Sequence, residues 1–168
     1  MNRIVRLCFV SLAFLTLGAC SSGKAPTSEP ARGPAATVFG DELSLTGYNI
    51  GNKNGHTEVE LRWKVLRKPS ADYAVFVHAL DGAGGCALQG DHWLKNDAGA
   101  KTNAWTAGDS VTDRFLMIPP ANRSPGTFTL RIGVWDLKKC LTLVRTNLPQ
   151  PTDGWRGRAV LIENVECK

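Results

Sequence analysis

Residues 58–65, Glu-Val-Glu-Leu-Arg-Trp-Lys-Val (EVELRWKV), decide the fold. Apolar side chains at the odd positions alternate with charged ones at the even positions. Successive side chains of a β-strand point to opposite faces, so this stretch predicts a strand with one face in a core and one in water. The next apolar stretch, Asp72–Leu80 (DYAVFVHAL), is apolar on both faces, which predicts a central strand covered on both sides.

Further strand-like stretches with turn residues between them lie on both sides of this pair. They cover Leu43–Ile50, Cys86–Gln89, Ser110–Ile118, Thr127–Trp135, Cys140–Arg145 and Arg158–Val165. The polar cluster Gly51–Gly55 is predicted to be a turn, and residues 90–109 a long loop of the kind that is often functional or mobile. With no helical periodicity after residue 20, about eight short strands predict an all-β fold. We expect an antiparallel two-sheet β-sandwich, with a jelly roll or small barrel as the alternative.

The N-terminus carries the parts of an export signal. Arg3 and Arg6 precede an apolar run, Leu7–Leu17, about half as long as the ~20 residues that a membrane-spanning helix needs. The run ends in LGAC at residues 17–20, which resembles the lipobox of bacterial lipoproteins. That resemblance implies cleavage before Cys20 and acylation of Cys20, and several acyl chains anchor a protein stably. The alternative is an ordinary cleaved signal with an incidental cysteine.

The leader sets the domain organisation. Residues 1–19 are predicted to be the signal peptide, and residues 37–168 one β-sandwich domain. Residues 20–36 are then the lipidated cysteine and a linker rich in Pro, Ser, Gly and Ala, too poor in large apolar side chains to fold alone. The absence of Asp after Cys20 resembles sorting to the outer membrane, with the body facing the periplasm.

The charge balance argues against a nucleic-acid partner. Removing Arg3 and Arg6 leaves 18 basic residues against 15 acidic ones. This is a weak excess, unlike the dense basic patch of a nucleic-acid-binding protein. No cofactor motif is found, because the glycines in residues 82–85 (GAGG) precede no helix that could bind a phosphate.

Residues 124–136 (SPGTFTLRIGVWD) resemble the entry to the sixth strand of fibronectin type III-like sandwiches. Phe128 stands at the position of that family's corner tyrosine and lacks its hydroxyl group. Trp63 matches the family's core tryptophan on the second strand. The resemblance implies a fibronectin type III or immunoglobulin-like sandwich.

A wider resemblance runs from Leu43 to Val165. It rests on the segments LTGYNI (45–50), VELRWKVL (59–66), DYAVFVHALDGAG (72–84), LQGDHW (88–93), AWTAGDSVTDRFLMIPP (104–120) and SPGTFTLRIGVWD (124–136). These segments are similar to the extracytoplasmic β-sandwich accessory domain of some prokaryotic membrane glycosyltransferases. The membrane-embedded catalytic part has no counterpart here, so the resemblance implies a fold and no transferase activity.

One cluster of aromatic and polar residues suggests a ligand platform. An indole face can stack on a sugar ring while amides and carboxylates bind its hydroxyl groups. The candidates are Trp93, Trp105, Asp91, His92, Asn96, Asn103 and Trp155. In the alternative interpretation the tryptophans plug the open end of the sandwich, and Asp109 or Asp113 bonds to turn amides.

Metal and catalytic sites are not predicted. His56, His78 and His92 are scattered, and no cysteine pair has the close spacing of a zinc site. Glu58 and Glu60 share the exposed face of one strand, whereas a glycosidase needs opposed carboxylates across a cleft. No serine has the setting of a nucleophile elbow.

The cysteines permit one structural prediction within a fibronectin-like strand order. Cys86 and Cys140 would lie at opposite ends of the sandwich, too far apart for the ~7 Å that a disulfide allows between Cα atoms. If the last strand runs beside Cys140–Arg145, then Cys167 ends near Cys140. We therefore prefer a Cys140–Cys167 disulfide, and a different strand order would reverse this preference.

Together these features predict a non-enzymatic envelope lipoprotein. Its partners would be the membrane, through the lipid anchor, and an envelope protein complex or polysaccharide. The first alternative is a carbohydrate-binding module that uses the loop tryptophans, and the second is an enzyme whose catalytic group is not recognised.

Metabolic labelling tests the anchor directly. If Cys20 is acylated, a palmitate analogue fed to cells that make the full-length chain will label the purified protein. A mature protein that carries no label would contradict the lipoprotein interpretation.

Overall fold

The structure is a computed structural model that describes residues 36–119, 125–146, 154 and 157–167. In these ranges the chain forms ten β-strands and one 3-10 helix, Thr102–Ala104. The strands are β1 (Thr37–Phe39), β2 (Leu43–Lys53), β3 (His56–Val65), β4 (Ala74–Leu80), β5 (Cys86–Gln89), β6 (His92–Trp93), β7 (Ser110–Met117), β8 (Gly126–Asp136), β9 (Leu141–Thr142) and β10 (Val160–Cys167). None of the described helical residues forms a segment long and apolar enough to span a bilayer. The predicted signal peptide, Cys20 and the linker up to residue 35 lie outside the described residues.

The strands form two antiparallel sheets that pack face to face. The first sheet has the order β1-β2-β3-β7, and the second β10-β8-β4-β5. The short strands β6 and β9 extend the second sheet by pairing with β4 and β8. The predicted all-β, two-sheet sandwich is confirmed, and the first described strand begins at Thr37.

Strand β3 has the two faces that its sequence predicts. Its apolar side chains are buried between the sheets, and Trp63 is 1 % exposed. On the outer face Glu60 accepts hydrogen bonds from Arg62 Nε at 3.0 Å and from Arg114 Nε at 2.9 Å. Glu58 binds Lys53 at 3.2 Å. The outer face therefore carries a network of ion pairs.

Strand β4 lies in the interior of the second sheet, between β8 on one side and β5 with β6 on the other. Val75, Val77 and Ala79 point into the core. Ala74 and Phe76, which alternate with them, are also buried. The predicted coverage of both faces is confirmed.

The first hairpin is longer than the sequence predicted. Strand β2 continues through the polar cluster to Lys53, and the turn consists of only Asn54 and Gly55. Both turn residues have positive φ, 53° and 79°. This is the type I′ geometry that an Asn-Gly pair favours. The prediction that the whole cluster is a turn was wrong because this two-residue signal outweighs the polar composition.

The predicted Cys140–Cys167 disulfide is wrong. Strand β10 pairs with β8 and not with β9, so Cys167 lies opposite Gly126 at the start of β8. Cys140 follows the far end of this 11-residue strand, about 30 Å away at ~3.3 Å per residue. The thiols of Cys86, Cys140 and Cys167 are all free, and only that of Cys167 is buried.

Gly133 of β8 leaves no room for a side chain. A Cβ atom there would overlap the ring of Phe76 and lie 2.7 Å from the carbonyl oxygen of Arg158. We expect Gly133→Ala to lower the free energy of unfolding by about 1–3 kcal/mol, measured by urea denaturation, because overpacking displaces the ring or the strand.

The control is Gly82→Ala, at a turn position where a Cβ would meet no atom within 4 Å. It should change the free energy of unfolding by less than about 0.5 kcal/mol. Equal losses at the two positions would contradict the packing argument.

Candidate functional site

Some of the candidate residues lie along one open side of the sandwich, where β5 and β6 of the second sheet face β7 of the first. A groove of about 530 Å³ runs there. His92, Trp93 and Asn96 line it from one sheet, and Asp113 and Phe115 from the other. The structure thus brings three of the predicted residues together.

A histidine–aspartate pair joins the two sheets inside this groove. His92 Nε2 lies 2.9 Å from Asp113 Oδ2, and His92 Nδ1 lies 2.6 Å from the carbonyl oxygen of Gly90. The imidazole also packs against the ring of Phe115 in a tilted arrangement, with 4.4 Å between ring centroids. Burial alone would lower the pKa of His92, but the hydrogen bond and charge of Asp113 outweigh it and raise the pKa above its ordinary value.

A second polar chain lies on the outer face of the second sheet. Arg131 Nη2 donates to His78 Nδ1 at 2.9 Å, and His78 Nε2 lies 3.2 Å from Asp91 Oδ2. Because a guanidinium group can only donate, Nδ1 accepts and the Nε2–H bonds to the carboxylate. Asp91 also accepts the N–H of Val77 at 3.0 Å. Burial raises the pKa of Asp91, but these two hydrogen bonds outweigh it and hold the pKa below its usual value.

Trp93 is half-buried at the rim of the groove. The ammonium group of Lys101 lies over its ring, 4.5 Å from the centroid. A cation in this position is attracted by the ring quadrupole. One indole face is therefore already occupied by a side chain of the same protein.

The platform prediction is wrong for Trp105. Its indole is 1 % exposed, and its Nε1–H donates to the carbonyl oxygen of Ala100 at 3.0 Å. The ring therefore has no face for a ligand and instead fills the core, as the alternative interpretation expected.

The loop that carries these residues is hydrogen-bonded at several points to residues 71–73, which immediately precede β4. Thr102 is fully buried, and its hydroxyl accepts the N–H of Tyr73 and donates to the carbonyl oxygen of Ala71, both at 2.8 Å. Asn96 Oδ1 accepts two backbone N–H groups of its own turn. Asn103 is exposed, and its N–H donates to Asp72 at 3.3 Å. The length of the loop thus reflects packing against the end of the sheet.

Sequence reasoning missed the groups that hold this site in place. The alternative interpretation expected Asp109 or Asp113 to bond to turn amides, and Asp109 does so, accepting the N–H of Thr106 at 2.8 Å. The pairing of Asp113 with His92 was not predicted. Asp113 lies within β7 at the same parity as the buried Val111 and Met117. That alternation was the available signal that its carboxylate faces the space between the sheets.

The last two predictions concern Trp155 and metal binding. Trp155 lies outside the described residues. Among the described residues, no three His, Cys, Asp or Glu side chains are grouped closely enough to hold a metal ion.

Comparison of the chain with protein-family models, with curated proteins and with solved structures found no match.

The pair of His92 and Asp113 makes stability depend on pH. A folded-state pKa above the unfolded value means that protonated His92 stabilises the fold. This contribution is complete below about pH 6.5, the unfolded value, and is lost as the pH rises through the folded value. We expect the wild-type free energy of unfolding to fall by about 1 kcal/mol between pH 5.5 and 8.5 relative to Asp113→Asn.

Asp113→Asn is the matched variant because it nearly preserves the shape of the side chain and keeps one acceptor oxygen, while it removes the negative charge and replaces the other oxygen by an NH2 group. Urea titrations of both proteins at each pH measure the difference. Parallel pH profiles would show that the pair has no electrostatic role.

Proposed function

We propose that this protein is an envelope lipoprotein whose β-sandwich is a non-enzymatic binding component of a cell-envelope assembly. The lipid on Cys20 would anchor it in the outer membrane with the body in the periplasm. The lipobox-like LGAC sequence and the signal-like leader before it support this anchor.

The observation that carries the proposal is how the candidate polar groups are used. Asp91, His92 and His78 each form hydrogen bonds within the same chain. In both histidines, both ring nitrogens are hydrogen-bonded. A general acid or base must reach a proton on a substrate. Here the ring nitrogens and carboxylates hold strands and sheets together, which favours a scaffold that binds over one that catalyses.

A carbohydrate-binding module is the second candidate. Trp93 and the groove of about 530 Å³ beside it support that alternative. It is weaker because Trp105 is buried and because Asn96 and Asp91 already accept hydrogen bonds from the protein.

Cross-linking in intact cells that make the full-length chain tests the proposal. The wild-type protein should fractionate with membranes and cross-link to a defined envelope protein. Cys20→Ser should move most of the protein to the soluble fraction, because the acyl anchor is lost, and should weaken the cross-link.

The control is Trp93→Ala, which should leave both results unchanged. Membrane association that survives Cys20→Ser would overturn the anchor. Quenching of tryptophan fluorescence by envelope polysaccharide, lost in Trp93→Ala, would instead establish the carbohydrate-binding alternative.

A further inference from the structure

At one edge of the first sheet, β2 has a described partner strand along only part of its length. Strand β1 pairs with β2 at three residues, Leu43–Leu45. Strand β2 then continues to Lys53, and no other described strand pairs with that side of it. Among the described residues, the edge therefore already accepts one strand and has no partner strand along its remainder, which we call the vacant edge.

The hairpin turn determines which backbone groups face this vacant edge. In a two-residue hairpin the flanking residues, Lys53 and His56, form a hydrogen-bonded pair, and such pairs recur at every second residue. Along β2, Tyr48, Ile50 and Asn52 lie between successive hydrogen-bonded positions. Their N–H and C=O groups therefore point away from β3, towards the open edge.

A groove of about 390 Å³ lies beside this edge, on the side of the sandwich opposite the histidine–aspartate pair. Tyr48 and Ile50 form its half-buried floor, and residues 162–166 of β10 form the facing wall. Strand β10 has a register shift between Ile162 and Val165, with Asn164 at φ 59°. Such a bulge disfavours regular strand pairing along β10, so a strand entering here would pair with β2.

The wall of the groove is acidic. Glu163 and Glu166 are both exposed, and no lysine or arginine is among the lining residues. Without Arg3 and Arg6 of the leader, the chain has 18 basic residues against 15 acidic ones, so this is a local reversal of sign. Such a reversal selects an occupant by charge as well as by shape.

We propose that the vacant edge of β2 is a strand-addition site for an extended, basic segment of a partner protein. The segment would bond through its backbone to Tyr48, Ile50 and Asn52. Alternate side chains would cover the apolar floor, and lysine or arginine side chains would reach Glu163 and Glu166. Main-chain bonds supply affinity in this mode of recognition, and side chains at alternate positions supply specificity. This inference rests on the proposed binding function and assigns it a site and a partner chemistry.

The other open side is less suited to this role. The groove beside β7 is lined by charges of both signs, including Lys95, Asp97 and Arg114. Its centre is crossed by the pair of His92 and Asp113. It therefore lacks a single charge preference.

The probe is a synthetic peptide of alternating lysine and valine, and its counterpart alternates glutamate and valine. Both are titrated into the purified, detergent-solubilised full chain, with amide hydrogen exchange as a second readout. We expect the basic peptide to bind at least about tenfold more tightly, although the net positive protein attracts the acidic one at long range. Exchange at Tyr48, Ile50 and Asn52 should slow in the complex.

Two variants separate backbone from side-chain effects. Asn52→Pro removes an edge N–H that bonds to no other described strand, whereas Asn52→Ala keeps it, and both lose the Asn52 contact with the Gly55 N–H. Proline should weaken peptide binding about tenfold, and alanine less than about twofold. Thermal melts verify that each variant is folded.

A second pair of variants tests the charge without altering the strand. Glu163→Gln combined with Glu166→Gln should weaken binding about tenfold and flatten its salt dependence. Asp97→Asn, at an exposed carboxylate in the opposite groove, should have no effect. This pair decides the proposal if Asn52→Pro fails to fold.

Equal binding of the two peptides, or no loss in the double glutamine variant, would overturn the proposal. Protection of the β2 edge that grows with protein concentration and without peptide would mean that a second copy is the occupant, and would also overturn it. Membrane fractionation of Cys20→Ser does not depend on this edge. If the peptide-binding tests fail while the anchor and the envelope cross-link are intact, the proposed function therefore still holds.

Discussion

The structure depends on one apolar layer between two sheets. Strands β3 and β7 supply one side of it, and β4 and β8 supply the other. Each large aliphatic or aromatic side chain buried there contributes about 1.5–3 kcal/mol. The other features are arranged around this layer. The ion pairs lie on the outer face of the sheet that covers it, Trp105 closes one of its ends, and the grooves lie along its open sides.

A sandwich has open sides because its sheets do not close on themselves, and this protein treats its two sides differently. On one side His92 and Asp113 connect the sheets directly. On the other, β1 covers only the first part of the β2 edge, and a bulge interrupts the facing strand β10. The first arrangement connects the sheets, and the second leaves part of the β2 edge without a partner among the described strands. We therefore propose the second side as the binding site.

The sequence predicted most of the fold because period-two alternation marks long, half-buried strands. The ranges of β5 and β7 agree within one residue at each end, and β8 within one residue as well. Strands β1 and β6 were missed, since three and two residues are too few to show a period. The end of β2 was misplaced because composition was weighed above the Asn-Gly turn.

The candidate site was harder to predict than the fold. A sequence shows which residues share a strand face, but not which strands become neighbours. The pairing of β10 with β8 decided against the disulfide, and the facing of β6 and β7 brought His92 to Asp113. Both facts are tertiary, and neither leaves a local pattern. The fate of Trp105 likewise depended on which space the loop had to fill.

The central position of β4 also bears on how the chain reaches its native state. Its main partner is β8, and Phe76 pairs with Gly133, more than fifty positions away. Strands β3 and β7 are almost as distant along the chain. Closing such large loops costs conformational entropy before stabilising contacts form, which slows folding into the range of milliseconds to seconds. A newly made chain would therefore expose its apolar strands to the solvent during that time, before its core forms.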